Sequence, residues 1–442
     1  MKWTGSYDKC HIDHIDKKRW LFAMYTICFG IMVMLVFGRF LYYGKSFVGG
    51  ADGLSQVAPT MQYTGQYYRA LLKNILQGNL QIPMWDMSIG FGMNILQVIS
   101  FDPVYILCSA LFVHNIAIGI AIYDMLCLYL AGVMFIALCY NLGCNRYAAL
   151  AAAMAYIFNG YILNYCMAQN SFLRLFIVLP MMLLGANRVI KRNKYDVFVI
   201  AVLYNVVLEP LNLYTIGLVL ILYFCVTYFF ANRKRGVFDF VNYVWKPLLV
   251  YILALAGMAF FLIPTIYKIF NGGRIGNANV HFQWFYDGTY YRSLIHGLVG
   301  IDEIGIHGYL GVTTLAVLAV VSLVTRRKKN ILEKKLCVFG IIALFLAIFP
   351  IGSYLFNGGI GFNHRFLFVL DFYLCVVLAV MFPKLFELDL REKKKLFISA
   401  VIYIMVYALI SIWSDKNVDY AMEFMLFYLV PVSYTHLTLP TT

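Results

Sequence analysis

The stretch Gly49-Gly50-Ala51-Asp52-Gly53-Leu54-Ser55-Gln56-Val57-Ala58-Pro59, running on to Trp85-Asp86 and Gly90-Phe91-Gly92, decides how the rest of the chain is read. It is too polar and too rich in glycine for hydrocarbon, where every backbone polar group must find an internal partner. Apolar segments of span length nevertheless bracket it on both sides. A polar insert in that setting is a loop at a membrane face, and chemistry is expected there.

Composition agrees with this reading. The 442 residues are 62% hydrophobic and 13% charged, about half the charged share of a soluble domain. The fold class is therefore all-α integral membrane, a multi-span helical bundle. A net charge of +14 could suit nucleic acid. The Lys and Arg residues instead fall in short clusters between apolar runs, as topology signals do, and no nucleic-acid partner is expected. The ten cysteines show no CxxC pair or zinc spacing and mostly occupy apolar runs, as small core hydrophobes do. The first apolar run is too long for a signal-peptide core and lacks a small-residue cleavage site, so it reads as a retained helix.

Residues 1–19 form a polar tail ending in Lys17-Lys18-Arg19, directly before the first span at 20–43. Positive charge on that flank places the N-terminus in the cytoplasm. Further spans are expected near 116–140, 147–165, 171–189, 195–209, 211–231, 245–268, 309–325, 336–355, 366–383 and 396–413, with a last one starting near 421. That makes about 12 spans of bilayer length in a polytopic domain over 20–432. The run 97–113 is apolar but short, with Asp102-Pro103 near its start. Counting it as a span would turn most basic clusters outward, so it reads as an interfacial or re-entrant helix.

The first outward loop then covers 44–114. Its stretches Tyr67 to Leu76 and 97–113 are expected to lie along the membrane surface. Two more outward loops follow. Loop 270–308 carries Gly272-Gly273-Arg274, Trp284-Phe285-Tyr286-Asp287 and Tyr290-Tyr291-Arg292, and loop 356–365 carries Asn363-His364-Arg365. No internal repeat is visible, which weighs against an inverted-repeat transporter. Ser433 to Thr442 reads as a translated sequencing-adapter scar on a truncated frame, so the natural protein is expected to be longer.

Several residues could carry chemistry. Asp52 follows two glycines just beyond the first span, where a carboxylate sits near headgroups and can act as a general base. Gly-Ala-Asp-Gly is equally a good turn sequence. Trp85 and Asp86, with Gly90, Gly92 and Asn94, offer an aromatic face beside an acceptor, suited to a sugar, although aromatics also anchor loops at interfaces. Asp102 before Pro103 reads as a helix cap.

Asp124, Glu209 and Asp371 lie inside apolar runs. A carboxylate there survives only when paired or facing a cavity, as in an ion or proton relay; for Asp124 the reading is a neutral acid held within the bundle. Arg365, beside His364 at a span mouth, can grip a phosphate with its planar fork, and Arg292 and Arg274 are candidate partners. Arginine at this depth also snorkels to headgroups without any catalytic task. No Walker loop, HExxH, GxSxG or Cys/His metal set is present, which argues against nucleotide chemistry.

Asp52-x3-Gln56-x2-Pro59, the basic amphipathic stretch with Arg69 and Lys73, and Trp85-x4-Gly90-x-Gly92-x-Asn94 resemble the first outward loop of bacterial YfhO-type membrane proteins. Asn170-Ser171 with Arg174 and Pro180, Asn212-x-Tyr214, Gly308-Tyr309-Leu310-Gly311 and Asn363-His364-Arg365-Phe366 extend the resemblance to about residue 432. It implies a GT-C type glycosyltransferase fold with a polyprenyl-phosphate-linked sugar as donor. It also implies an envelope acceptor such as lipoteichoic acid, at the outer face of the plasma membrane.

On that resemblance Asp52 would be the catalytic base. Arg365, with His364 or Arg292, would hold the donor phosphate, and Gln56, Trp85, Asp86, Asn94 and Tyr214 would shape the sugar site. A divalent metal held by Asp52 and Asp86 is compatible with it, but no ligand spacing requires one, and the metal assignment is none. The rival reading is a lipid or polysaccharide transporter or flippase without covalent chemistry.

Overall fold

A computed structural model describes residues 15–50, 52–207, 210–231, 236–271, 283–300, 302–359 and 361–413. Glu209, the 233–235 basic cluster, Gly272-Gly273-Arg274, the expected last span near 421 and the 433–442 segment lie outside them. Two compact units are distinguished, Met1–Lys45 and Ser46–Thr442. The first is built on α1 (Ile15–Tyr42), about 42 Å long and enough to cross a bilayer.

Among the described residues, the regular structure of the second unit is helical apart from one two-stranded antiparallel hairpin, with Trp85 opposite Asn94 and Asp86 opposite Met93, and an isolated bridge between Ile304 and Gly308. Its helices are α2 (Ala58–Leu76), α3 (Pro103–Leu111), α4 (Ile116–Leu142), α5 (Arg146–Ile157), α6 (Leu173–Arg192), α7 (Asp196–Val207), α8 (Pro210–Ala231) and α9 (Val237–Gly257). There follow α10 (Ala259–Asn271), α11 (Gly288–Gly297), α12 (Thr314–Thr325), α13 (Ile331–Ile348), α14 (Pro350–Phe356), α15 (Leu367–Met381) and α16 (Leu390–Trp413).

Among the described residues, six helices are long and apolar enough to cross a membrane, or seven if the bent pair α13–α14 counts as one span. The other expected spans coincide with shorter helices, α5, α7 and α12, and with α16. The core is made by α4, α5, α6 and α15. Phe135 stacks on Tyr156 with ring centroids 4.6 Å apart, and Phe372 meets both edge-on. Helix α9 presents a mostly exposed apolar surface, which suits contact with lipid.

Three interruptions correct the sequence boundaries. The span expected at 147–165 stops at Ile157, because the Asn159 side chain receives the Ile162 N–H (2.8 Å) and donates to Tyr156 O (3.0 Å). A π-helical turn, Ile162–Cys166, follows. The span expected at 245–268 is divided at Met258 into α9 and α10, after Gly257, a poor helix former. The amphipathic stretch expected from Tyr67 begins earlier, at Ala58, since Pro59 occupies its first turn, where its missing N–H costs nothing.

Asp102 caps α3 as the Asp-Pro pair implies, receiving the Val104 N–H at 3.0 Å. Its other oxygen receives the hydroxyls of Tyr123 (3.0 Å) and Tyr204 (3.3 Å), which ties α3 to α4 and α7. At nine residues, α3 spans only about 14 Å.

The broken region after α5 is closed by another irregular segment. Gly160 N–H donates to Gly311 O (3.1 Å) and Tyr161 N–H to Leu310 O (3.0 Å); Gly311 N–H donates in turn to Gly297 O (2.7 Å). Gly311 has φ +69, and a Cβ there would lie 2.8 Å from Gly160 Cα. Gly311→Ala therefore combines left-handed strain with overpacking and is expected to cost about 3 kcal/mol. Gly143→Ala has a comparable positive φ but open space around it and should cost only about 1–2 kcal/mol. Thermal melts of the detergent-solubilised variants check the ordering.

Candidate functional site

Four segments meet where the helices are interrupted. The Asp52 segment approaches the turn after α5 so closely that a Cβ on Gly49 would lie 3.2 Å from Ala168 Cα. Asp52 opens a π-helical turn, Gly53–Val57, that leads into α2. Helices wound this way concentrate at functional sites because they re-aim side chains. Gln56, four residues on, donates from Nε2 to Asp52 Oδ1 at 2.7 Å. Gln169, from the turn after Ile162–Cys166, donates from Nε2 to Asp52 Oδ2. Each carboxylate oxygen thus receives an amide N–H, one from within the turn and one from 117 residues away.

Arg365 enters from the turn before α15. Its backbone N–H donates to Asn363 Oδ1 (3.0 Å), and its guanidinium carbon lies 5.0 Å from the Phe172 ring centre and 5.8 Å from that of Tyr165. The Nε atom is buried without a hydrogen-bond partner. The Tyr165 ring is also 5.4 Å from that of His307 and 6.3 Å from that of Tyr309. Asp52 and Arg365 both act electrostatically on Tyr165 and on His307. The acid and the cation therefore both lie within electrostatic reach of the same two rings.

His307 is held in a left-handed conformation, φ 59, rare for a residue with a Cβ. Its backbone N–H donates to Glu303 Oε1 at 3.0 Å, and that oxygen is 3.9 Å from Nδ1. Partial burial, then the Arg365 charge, pushes its pKa below the ordinary histidine value, while Glu303 and Asp52 oppose the shift. The ring is thus disposed to be a neutral hydrogen-bonding group.

The other sequence candidates are placed differently. His364 does not face Asp52: its Nδ1 accepts the Ile306 N–H at 3.0 Å, its own N–H donates to Ile306 O, and its ring packs on Tyr290 and Tyr286. It is a positioning residue for the 303–308 loop and for its neighbour Arg365. Arg292 is on α11, half-buried, without a hydrogen bond or ion pair to Asp52 or Arg365.

Asp86 receives the Tyr63 hydroxyl (2.7 Å) and both the N–H and hydroxyl of Ser88, which hold its carboxyl below the usual range. Asn94 caps a short 3₁₀ turn by receiving the Leu96 N–H. Trp85 is exposed beside Met87, over Gly92. Tyr214, on α8, is 41% exposed. Asp52 and Asp86 share no partner, and among the described residues no group of three or more His, Cys, Asp or Glu side chains is arranged to hold a metal ion. Within the spans, Asp124 faces Asn170, and Asp371 is fully buried.

Gln169, Tyr165, His307 and Glu303 are the residues that sequence reasoning missed. Two of them adjoin motifs that were singled out: Gln169 precedes Asn170-Ser171, and His307 precedes Gly308-Tyr309-Leu310-Gly311. An i, i+4 Glu–His pair in a glycine-rich loop was the available signal.

Burial lowers the pKa of His364 to about 4, against smaller opposing effects of the Ile306 N–H and Asp287. The unfolded chain, with an ordinary histidine near 6.5, then binds a proton that the folded chain refuses. This contribution to stability is complete above about pH 6.5 and is lost as pH falls toward 4, by about 3 kcal/mol. His364→Gln keeps an acceptor but does not titrate, so it should flatten the slope of melting temperature against pH across that window.

Comparison with protein-family models matches residues 24–441 to the family described as bacterial membrane protein YfhO. Neither curated proteins nor solved structures give a match.

Proposed function

The chain belongs to the YfhO family of bacterial membrane proteins, and on that premise we propose that it is a membrane glycosyltransferase of GT-C type. Its donor is a polyprenyl-phosphate-linked sugar, and its acceptor is a hydroxyl on an envelope polymer such as lipoteichoic acid. Transfer takes place at the outer face of the plasma membrane, with the N-terminus cytoplasmic and the 44–114, 270–308 and 356–365 loops outside. A lipid-linked donor suits that face, where nucleotide sugars are absent. The bundle on this reading has about 12 spans, several of them short or broken.

The observation that carries the reading is that Asp52 and Arg365 come from segments that converge on the turn after α5, Asp52 through Gln169 and Arg365 over the Tyr165 and Phe172 rings. Asp52 takes the proton from the acceptor hydroxyl as its oxygen forms a bond to the anomeric carbon. The bond from that carbon to the phosphate oxygen breaks, and the electron pair leaves on the polyprenyl phosphate. Attack opposite the leaving group inverts the anomeric configuration.

Arg365 stabilises the phosphate charge as it develops, and its buried Nε has no partner within the protein. Gln56 and Gln169 hold the carboxylate in orientation without adding charge. Trp85, Asn94 and Tyr214 contribute to sugar or loop shape further from the reacting atoms.

Two buried carboxyl groups in apolar helices, Asp124 and Asp371, favour the second reading, a lipid or polysaccharide transporter, because such groups serve ion or proton relays. Membranes supplied with a radiolabelled polyprenyl-phosphate sugar separate the two. Asp52→Asn should lower sugar transfer by at least about 100-fold at normal expression. Arg365→Lys, which keeps charge but loses the fork, should be impaired as well. Full transfer by Asp52→Asn removes the base assignment. Absence of transfer by the wild type, together with sugar-lipid movement across vesicles that Asp124→Asn or Asp371→Asn abolishes, supports the transporter.

A further inference from the structure

A second polar cleft lies well away from Asp52, between α2 and the turn that joins α3 to α4. It has a volume of about 410 Å³ and is lined by Gln62, Gln66, Arg69, Val113 and His114, within the ~300–1,000 Å³ range of small-molecule sites. Gln62, Gln66 and Arg69 follow one another at helical spacing along one stripe of α2. The α2–α3 contact beneath is close because Gly65 lies directly against the Ser109 carbonyl, leaving no room for a Cβ. Arg69 is 17 positions beyond Asp52, roughly 25 Å along the helix.

The chemistry of the lining is one-sided. Arg69 Nη1 stands 3.4 Å from His114 Nε2. Two glutamine amides adjoin them, and no Asp or Glu lines the cleft. Such a donor-rich, carboxylate-free group suits an anion that can occupy the guanidinium fork and the imidazole edge together.

What surrounds the cleft narrows the source of that anion. Along α2 the same stripe continues from Arg69 into Leu72 and Leu76, 58% and 79% exposed. On α3, Leu107 and Leu111 are 58% and 65% exposed. Leucines so exposed on two neighbouring helices of a membrane protein face acyl chains, which puts the Arg69–His114 pair at headgroup depth.

We propose that this cleft is a binding site for the headgroup of an anionic glycerophospholipid. Its phosphate sits against the Arg69–His114 pair and takes the guanidinium's remaining donors, Gln62 and Gln66 contact the polar headgroup, and the acyl chains run over Leu72, Leu76, Leu107 and Leu111. The proposal does not depend on sugar transfer, because it uses none of the residues around Asp52.

Native mass spectrometry of the full chain in detergent, with phosphatidylglycerol or phosphatidylcholine added, tests it. The wild type should prefer phosphatidylglycerol, and Arg69→Ala should lower that affinity about tenfold, the loss expected for one charge-assisted hydrogen bond. His114→Ala, an independent variant from the opposite wall, should weaken binding too, and Arg69→Lys should restore part of it. Lys73→Ala removes an exposed charge from the same helix outside the cleft and should change nothing.

Equal lipid preference in the wild type and in monodisperse Arg69→Ala overturns the site. So does an equal loss in Lys73→Ala, which would mean diffuse surface charge. Displacement of the lipid by millimolar inorganic phosphate would identify a soluble-anion site and overturn the lipid assignment.

Discussion

The structure depends on one constraint, the need of a packed chain to satisfy the backbone wherever its helices stop. After Ile157 and again before Thr314 the chain leaves helical geometry, freeing donors and acceptors that need partners wherever water is excluded. The two irregular segments solve the problem jointly, through Gly160 to Gly311, Tyr161 to Leu310 and Gly311 to Gly297. The 303–308 loop is tied to the turn before α15 through Ile306 and His364. Irregular backbone packed inside a helical bundle is stable only as a mutually bonded group, and that group supplies Tyr165, His307 and Arg365.

The apolar helices were legible in the sequence because hydropathy over bilayer-length windows measures what lipid demands. Their interruptions were not. The end of α5 is set by Asn159 and by the Gly160–Gly311 approach, and the second is a contact between residues far apart in sequence. The extension of α2 back to Ala58 was signalled by Pro59, but a periodicity reading weights apolar spacing above proline position. Asp52 and Arg365 stood out as candidates because glycine neighbours and the mouth of a span mark unusual positions. Gln169 and His307 look ordinary in sequence. Their significance is conferred by long-range contact, which no local pattern carries.

The environment of Asp52 shows how a carboxyl group is fixed by uncharged partners. Amide N–H groups reach both oxygens and restrict rotation. Arg365 makes no salt bridge to Asp52; its guanidinium lies over the Tyr165 and Phe172 rings. The strained backbone of His307 belongs to the same arrangement, since a left-handed residue persists only where its surroundings hold it.

The 95° bend between α13 and α14 has a mechanical consequence. Where Pro350 ends the helical ladder, the Ala347 and Ile348 carbonyls accept the hydroxyls of Tyr290 (2.7 Å) and Tyr291 (3.1 Å). Tyr290 also packs on His364, the residue next to Arg365. The elbow between α13 and α14 and the turn that carries Arg365 are therefore braced against each other through a single tyrosine, so a change at either is felt at the other.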